Sequence, residues 1–399
     1  MRRPLLALLV APLLASPLLA QSVAPADRLA HEEMLVLDTH LDTPILFERS
    51  DWDFSRLHLY AWDNSQVDLP RMAAGGLDGG FFVIFTDQGP LTAEGYRQGR
   101  DAALARAAAI QRVIGANSDR IGFATTADDA ERLQREGRAI AFQSIENSWP
   151  LGEDLSLLST FYRLGVRMAG PVHFRNNQFA DSATDTPRWN GLSPLGRQWV
   201  AEMNRLGMLI DVSHASDASF DQMLALSRVP IVASHSGPRA IFNHPRNLDD
   251  DRMRRLARAG GVMFVNSVYL VQHDNSDERS ALTDRQRGWG SLDAAGRRRL
   301  LADRDAMNAR RPYTTADFDL YMRSLLHAIA VMGVDHVGLG ADWDGGGGVA
   351  GMEDVASLPR ITEGLRREGF SERDIAKVMG GNLLRVLRQA QAFAARSAS

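Results

Sequence analysis

The sequence predicts an α/β protein built as a (β/α)₈ barrel, and three observations carry that prediction. Short apolar runs recur along the chain, each followed by a stretch with helical spacing, the pattern of buried parallel strands joined by crossover helices. Eight such runs can be picked out, which favours a closed barrel over a doubly wound sheet. The length of 399 residues also fits, because a barrel of about 250 residues commonly carries insertions. A hydrophobic fraction of 45% and a charged fraction of 24% suffice for a full core. A net charge of -4 leaves no footprint for nucleic acid or an acidic membrane surface.

The elements follow in order. Residues 1–20 read as a secretory signal, with Arg2 and Arg3 as the basic start and Leu5 to Leu19 as an apolar stretch broken by Pro12 and Pro17. Cleavage is expected after Ala20, with Ala24 as the alternative. Residues 21–399 then form a single barrel domain. The strand runs are Met34–Asp38, Gly80–Phe85, Ala139–Ser144, Val166–Pro171, Met208–Val212, Ile231–Ser234, Gly261–Asn266 and His336–Gly340. Helical spacing marks Arg97–Val113, Gly196–Leu206, Asp249–Arg258 and Asp317–Val331. Leu270–Pro312 is polar and heavily charged, and is expected to be an insertion over one barrel end or a mobile cover. The tail Leu358–Ala390 reads as a pair of helices, with Ser371 as an N-cap and Gly380-Gly381 as punctuation. With no cysteine in the chain, an exported life involves no disulfide, and the C-terminus shows no apolar anchor signal.

Active sites of such barrels lie at the C-terminal ends of the strands. Six of the eight runs deliver a His, Asp or Glu there: His40-Leu41-Asp42, Glu146, His173, His214, His235, and Asp342 with Asp344 close behind. In an extended strand residues i and i+2 share a side, so His40 and Asp42 can converge on one cation. Imidazole and carboxylate are ligands that zinc accepts without thiolate. Five ligands, His40, Asp42, Glu146, His214 and His235, exceed what one catalytic zinc with an open position needs. They suit two zinc ions about 3.5–4 Å apart with a shared bridge. The bridge in such barrels is a carboxylate or a carbamylated lysine. The sole lysine, Lys377, sits in the helical tail, so Glu146 is the candidate. His40, Asp42 and Glu146 would hold one ion, and Glu146, His214 and His235 the other.

A hydroxide shared by two zinc ions would be nucleophilic near neutral pH. Asp342 is placed to take its proton and deliver it to a leaving amine; a metal ligand or a capping carboxylate is the alternative for it. His173 could donate to the oxygen of a tetrahedral intermediate, or be a structural histidine. Arg246, on the loop after the sixth run, could fork onto a substrate carboxylate. Other features carry less. Gly345–Gly348 lacks the Lys-Ser/Thr of a phosphate loop and reads as a flexible turn. His31, His58, His244, His273, His327 and His336 have no strand-end placement. Ser234 and Ser236 flank His235 without a nucleophile elbow, so serine hydrolysis lacks support.

At these residues the chain resembles the renal, or membrane, dipeptidase family of zinc peptidases. The matching segments are Asp38–Pro44, Ile145-Glu146-Asn147, Gly191-Leu192-Ser193, Ile210–His214, Ala233–Ser236, Arg246-Asn247, His336–Gly345 and Gly380-Gly381-Asn382, in order over about residues 34–388. The resemblance implies a (β/α)₈ metallohydrolase with two Zn²⁺ bridged by Glu146. It implies hydrolysis of dipeptides, often including those with a C-terminal D-residue, with His173 and Arg246 touching substrate and Asp342 as acid and base. Leu41 stands where the family often has Asn, and Asn147-Ser148-Trp149 where it often has a glycine-rich stretch. The alternative within enzymes is a related dizinc barrel hydrolase acting on a lactam, lactone or other amide. A non-catalytic exported binding protein on a decayed barrel is disfavoured by the intact ligand set. The expected partner is a small dipeptide, with no nucleic acid and no stable membrane anchor. A homodimer stays open, and the expected location is periplasmic or secreted.

Overall fold

The computed structural model describes residues 23–398, so the stretch expected as a secretory signal lies outside the described residues. Nine strands form one parallel sheet: β1 Leu37–Leu41, β2 Gly79–Ile84, β3 Ile121–Phe123, β4 Ala139–Ile145, β5 Val166–Ala169, β6 Leu209–Ile210, β7 Val232–Ser236, β8 Val262–Val265 and β9 Val337–Leu339. Their order is β6-β5-β4-β2-β1-β9-β8-β7, with β3 beside β4. A parallel bridge between Asp211 and Val232 joins the two ends of that path, and Val212 N–H donates to Val232 O at 2.8 Å. Eight strands thus follow one another round a ring in chain order, as successive βα units produce.

The eight expected runs become the eight strands of the ring. The ninth strand, β3, is absent from them. It is a three-residue piece between helices Ala93–Ala116 and Ala127–Arg135, too short for any periodic signal. It pairs with Ala139–Ala141 of β4, while β5 takes residues 143–145. The first strand also begins and ends three residues later than the run Met34–Asp38. His40 therefore lies within β1, and His235 within β7.

Alternate strand residues divide between two apolar clusters, as a two-residue period dictates. Leu37, Phe81, Ile140, Phe142, Met168, Leu209, Val232, Val262 and Phe264 share one. Because these come from strands all round the ring, that cluster is the barrel interior, and Phe81 stacks on Phe142 at 5.1 Å within it. Their neighbours Phe82, Ala141, Ile210, Ala233, Met263 and Val265 join the larger cluster under the surrounding helices.

The tail is the expected pair of helices, Pro359–Arg367 and a second that runs unbroken in three segments, Glu372–Ala376, a π-helical turn at Lys377–Gly381, and Asn382–Ala398. Ser371 caps the second, accepting from Asp374 N–H at 3.2 Å. The last segment drives Leu383, Leu384, Val386, Leu387 and Ala390 into the barrel interior. Asn382 donates to Val337 O at the start of β9, and Arg385 to Gly260 O just before β8. The tail thus plugs the N-terminal end of the strands and leaves the opposite end for chemistry. The segment expected as a polar insertion is a helical hairpin, Asp277–Arg287 and Ala294–Arg310, with Leu282, Trp289, Leu300 and Met307 as its own small core. Arg297 pairs with Asp51, and Arg304 donates to Tyr60 O and the Asn64 side chain. Among the described residues no helix is long and apolar enough to cross a membrane.

Candidate metal centre

All of the sequence-predicted site residues meet at the C-terminal end of the strands. Asp42 leaves β1 with its N–H on Trp343 O at 2.9 Å, and Pro44 then opens a short 3₁₀ turn. Glu146 follows β4 directly. His173 lies beyond β5, His214 beyond β6, Arg246 beyond β7 and Asp342 beyond β9. Asn147, His214, Asp342 and Asp344 all adopt left-handed backbone, with φ of 68°, 68°, 69° and 64°. That region is uncommon for residues other than glycine, though Asn, Asp and His are enriched in it. Each turns the chain sharply at a strand end, and such conformations concentrate at functional sites.

Glu146 is the hub. Its Oε2 faces His40 Nε2 at 3.6 Å, and His40 Nε2 is 3.4 Å from Asp42 Oδ2. Its Oε1 faces His214 Nε2 at 3.0 Å and His235 Nε2 at 3.5 Å. His173 Nε2 is farther from Oε1, at 3.8 Å, and Asp342 groups with His40 and Asp42. His173 is framed by Phe85 and Phe174, with ring centroids 5.0 and 3.9 Å away, and Phe174 is 47% exposed at the mouth. Lys377 plays no part. It pairs with Asp374 and with Asp335, just ahead of β9, at the opposite end of the barrel.

Burial and charge together set the protonation states. Burial, then Arg246 and His173, holds His214 well below the usual histidine range; burial, then His40 and Arg246, does the same for His235. Neutral imidazole is the form a metal needs. Burial disfavours the charge on Glu146, but His173 and His40 outweigh it and keep the carboxylate well below its ordinary range. Burial likewise opposes charge on His40, and Asp42 and Glu146 override it upward. Asp342 is pushed up to about 8, chiefly by burial, with His40 pulling down and Asp42 and Glu146 pushing up.

The donor set fits a metal. His40 Nε2 and Asp42 Oδ1 are buried without a hydrogen-bond partner. His214 Nε2 and His235 Nε2 approach to 2.9 Å beside Glu146 Oε1, so two imidazole nitrogens and a carboxylate oxygen, donors that zinc accepts, converge on one point. Arg246 is buried with Nε unpartnered. Its Nη2 donates to His235 O at 3.3 Å and its guanidinium lies 5.2 Å from the Tyr269 ring. Among the described residues no carboxylate pairs with it, so the cation is left for a ligand.

Asp38, Asp211 and Gly345 fall within the matching segments of the sequence, but nothing there assigns them a role. Asp38, within β1, and Asp211, just past β6, are buried beside ligand candidates. Asp38 accepts from His40 N–H at 2.8 Å and Ala341 N–H at 3.0 Å; Asp211 accepts from Ser213 N–H at 2.9 Å and Ser234 N–H at 2.8 Å. Each ties one metal-side strand end to the next. Their offsets, two before His40 and three before His214, are the trace that could have found them. Gly345 is needed for space rather than for flexibility. A Cβ there would stand 2.0 Å from Asp42 Oδ2 and 2.2 Å from Asp342 Oδ1. The discounted histidines are structural: His31 bonds Thr362 and Gly75 O, His58 bonds Asp63, His327 bonds Asp250, and His336 bonds Gly261 O. His244 and His273 stand in a row of rings with Tyr269 and Tyr313.

Comparison with known proteins gives a consistent picture. The membrane dipeptidase family, peptidase family M19, matches residues 24–399. A dipeptidase of Claviceps purpurea, tcpJ, is 33% identical over 288 residues, and the match covers 72% of this chain and 59% of that protein. The chain thus spans less than two thirds of that relative's length. Among solved structures, a Pseudomonas aeruginosa protein described as a probable dipeptidase, PvdM, is 30% identical with a TM-score of 0.79, over 92% of this chain and 98% of its own. A Rhodobacter sphaeroides metallopeptidase liganded with a phosphinate mimic of the dipeptide L-Ala-D-Ala is 25% identical with a TM-score of 0.72, over 90% and 99%.

Proposed function

The chain belongs to the membrane dipeptidase family of peptidases, and from that premise we propose that it is a dizinc metallopeptidase cleaving the peptide bond of dipeptides. The observation that carries the proposal is the division of labour at Glu146, one oxygen facing His40 and the other facing His214 and His235. In this reading His40, Asp42 and Glu146 hold one zinc and Glu146, His214 and His235 the other. Zinc held by these residues would supply Lewis acidity to activate a water and polarise the scissile carbonyl.

The chain's own groups do the rest. Arg246, buried and without a carboxylate partner, anchors the substrate's C-terminal carboxylate through charge-assisted hydrogen bonds. His173, on the open side of the centre, donates to the carbonyl oxygen as negative charge builds on it. Asp342 accepts a proton on its carboxylate and passes it to the leaving amine, which departs neutral. An anchor that grips only the carboxylate leaves the configuration at the adjacent carbon lightly constrained. Substrates with a C-terminal D-residue are therefore included, in keeping with the ligand carried by the Rhodobacter relative. Export to the periplasm or beyond is part of the proposal and rests on the sequence reading of residues 1–20. A homodimer is testable by light scattering.

The decisive experiment measures zinc per chain together with a panel of L,L- and L,D-dipeptides. Two zinc ions and release of free amino acids are expected. Turnover of a lactone or lactam with none of any dipeptide would replace this reading with the related-hydrolase one.

A further inference from the structure

Ser234 has no role in the chemistry described so far, yet it is fully buried directly behind a ligand candidate. Its hydroxyl lies 2.6 Å from Asp211 Oδ2 and 2.8 Å from His235 Nδ1. The hydroxyl donates to the carboxylate, so its lone pair is left to accept from His235 Nδ1–H. That fixes the tautomer: the ring proton sits on Nδ1, and Nε2 presents its lone pair toward Glu146 and His214. Asp211 is held in turn, its Oδ1 accepting from the backbone N–H groups of Ser213 and Ser234. The backbone of His235 is pinned as well, its N–H donating to Ser213 Oγ at 3.0 Å.

The other two histidines differ. His40 Nδ1 and His214 Nδ1 are buried with no hydrogen-bond partner. Only His235 is oriented from behind. We propose that Asp211 and Ser234 form a carboxylate–hydroxyl–imidazole relay that fixes the tautomer and orientation of His235 and strengthens it as a metal ligand. Ser234 is then a positioning residue for the ion held by Glu146, His214 and His235. The arrangement differs from that of a nucleophilic serine: the hydroxyl proton is committed to Asp211, and the oxygen lies behind the imidazole, away from the substrate side. The inference rests on reading His235 as a zinc ligand and deepens that reading.

The test uses metal binding without any peptide. Zinc is titrated into the metal-free full chain against a chromophoric chelator, for wild type, Ser234→Ala and Ser234→Thr. Ser234→Ala should weaken one of the two equivalents by about 10–100-fold, while Ser234→Thr, which keeps the hydroxyl, restores most of the affinity. Melting temperature measured with excess chelator separates the alternatives, because a merely structural role would lower it and leave zinc affinity per folded chain unchanged. Nitrogen-15 shifts of the metal-free wild type give a second readout needing no variant, with His235 expected to carry its proton on Nδ1. Two equivalents at wild-type affinity in Ser234→Ala, or a proton on His235 Nε2, overturns the relay. A wild type that binds no zinc overturns it together with the ligand assignment. A wild type that binds zinc and cleaves no dipeptide, with Ser234→Ala still weakened, removes the dipeptidase reading and leaves the relay standing.

Discussion

Single side chains decide what this centre can do. Asp342 lies with His40 and Asp42 in a cluster that could itself hold a metal, but neither proposed ligand set requires it, and the proposed role for it is proton transfer. Asp342→Asn should keep two zinc ions per chain and lower kcat by about 10²–10⁴-fold; preserved activity would reassign it as a ligand or a cap. Arg246→Ala should cost about 1.5–3 kcal/mol of transition-state binding on substrates with a free C-terminal carboxylate. Comparing kcat/KM on free and amidated dipeptides checks this, since equal loss on both would remove the anchor role. At this scale the sequence was informative where a ligand-type residue follows an apolar run, as for His40, Glu146, His214 and His235. It assigned no role at the centre to Asp38, Asp211 or Gly345, although all three lie in the matching segments. Their partners lie on neighbouring strands (Ala341 for Asp38, Ser234 for Asp211, Asp42 for Gly345), and such adjacency exists only once the ring has closed.

Elements were legible where an apolar pattern marks them rather than by their length. The amphipathic helices and the eight barrel strands could be read, β6 and β9 among them though only two and three residues long, whereas β3 and the heavily charged helix Ala294–Arg310 could not. Strand ends shifted where polar ligand residues interrupt the apolar pattern without interrupting the strand. The tail was legible as two helices, and what the sequence did not show is that the second continues through Gly380-Gly381 by way of a π-helical turn at Lys377–Gly381. The last helix is a structural plug, and Leu387 lies wholly inside the barrel cluster. Leu387→Ala should destabilise by about 2–5 kcal/mol, read as a lowered urea midpoint. Zinc content of the chains that remain folded should stay at the wild-type value, because the plug and the metal centre occupy opposite ends of the strands.

The whole molecule carries a pH dependence remote from the centre. His31 joins the helix Pro25–Glu32 to Thr362 and Gly75 O, and burial lowers it from 6.5 to about 4. The folded chain therefore binds this proton more weakly than the unfolded chain. The contribution is fully present above about pH 6.5 and is lost as pH falls toward about 4, amounting to about 3 kcal/mol. Urea unfolding across that window should show His31→Gln with a flatter acid limb than wild type; identical limbs would move the dependence elsewhere. The ring also has a seam. β6 is only two residues long, and its ladder to β7 is a single bridge. The missing rungs are supplied by side chains, Asp211 to Ser234 N–H and Ser213 to His235 N–H. Those same bonds hold a proposed metal ligand, so if His235 binds the ion, barrel closure and ion capture would share one equilibrium. Linkage makes the coupling reciprocal: a bound cation raises the free energy of local opening at this joint, and protection of the Ser234 and His235 amides from exchange becomes a gauge of zinc concentration. On that reading the shortest stave of the barrel would be a latch set by the ion it helps to hold.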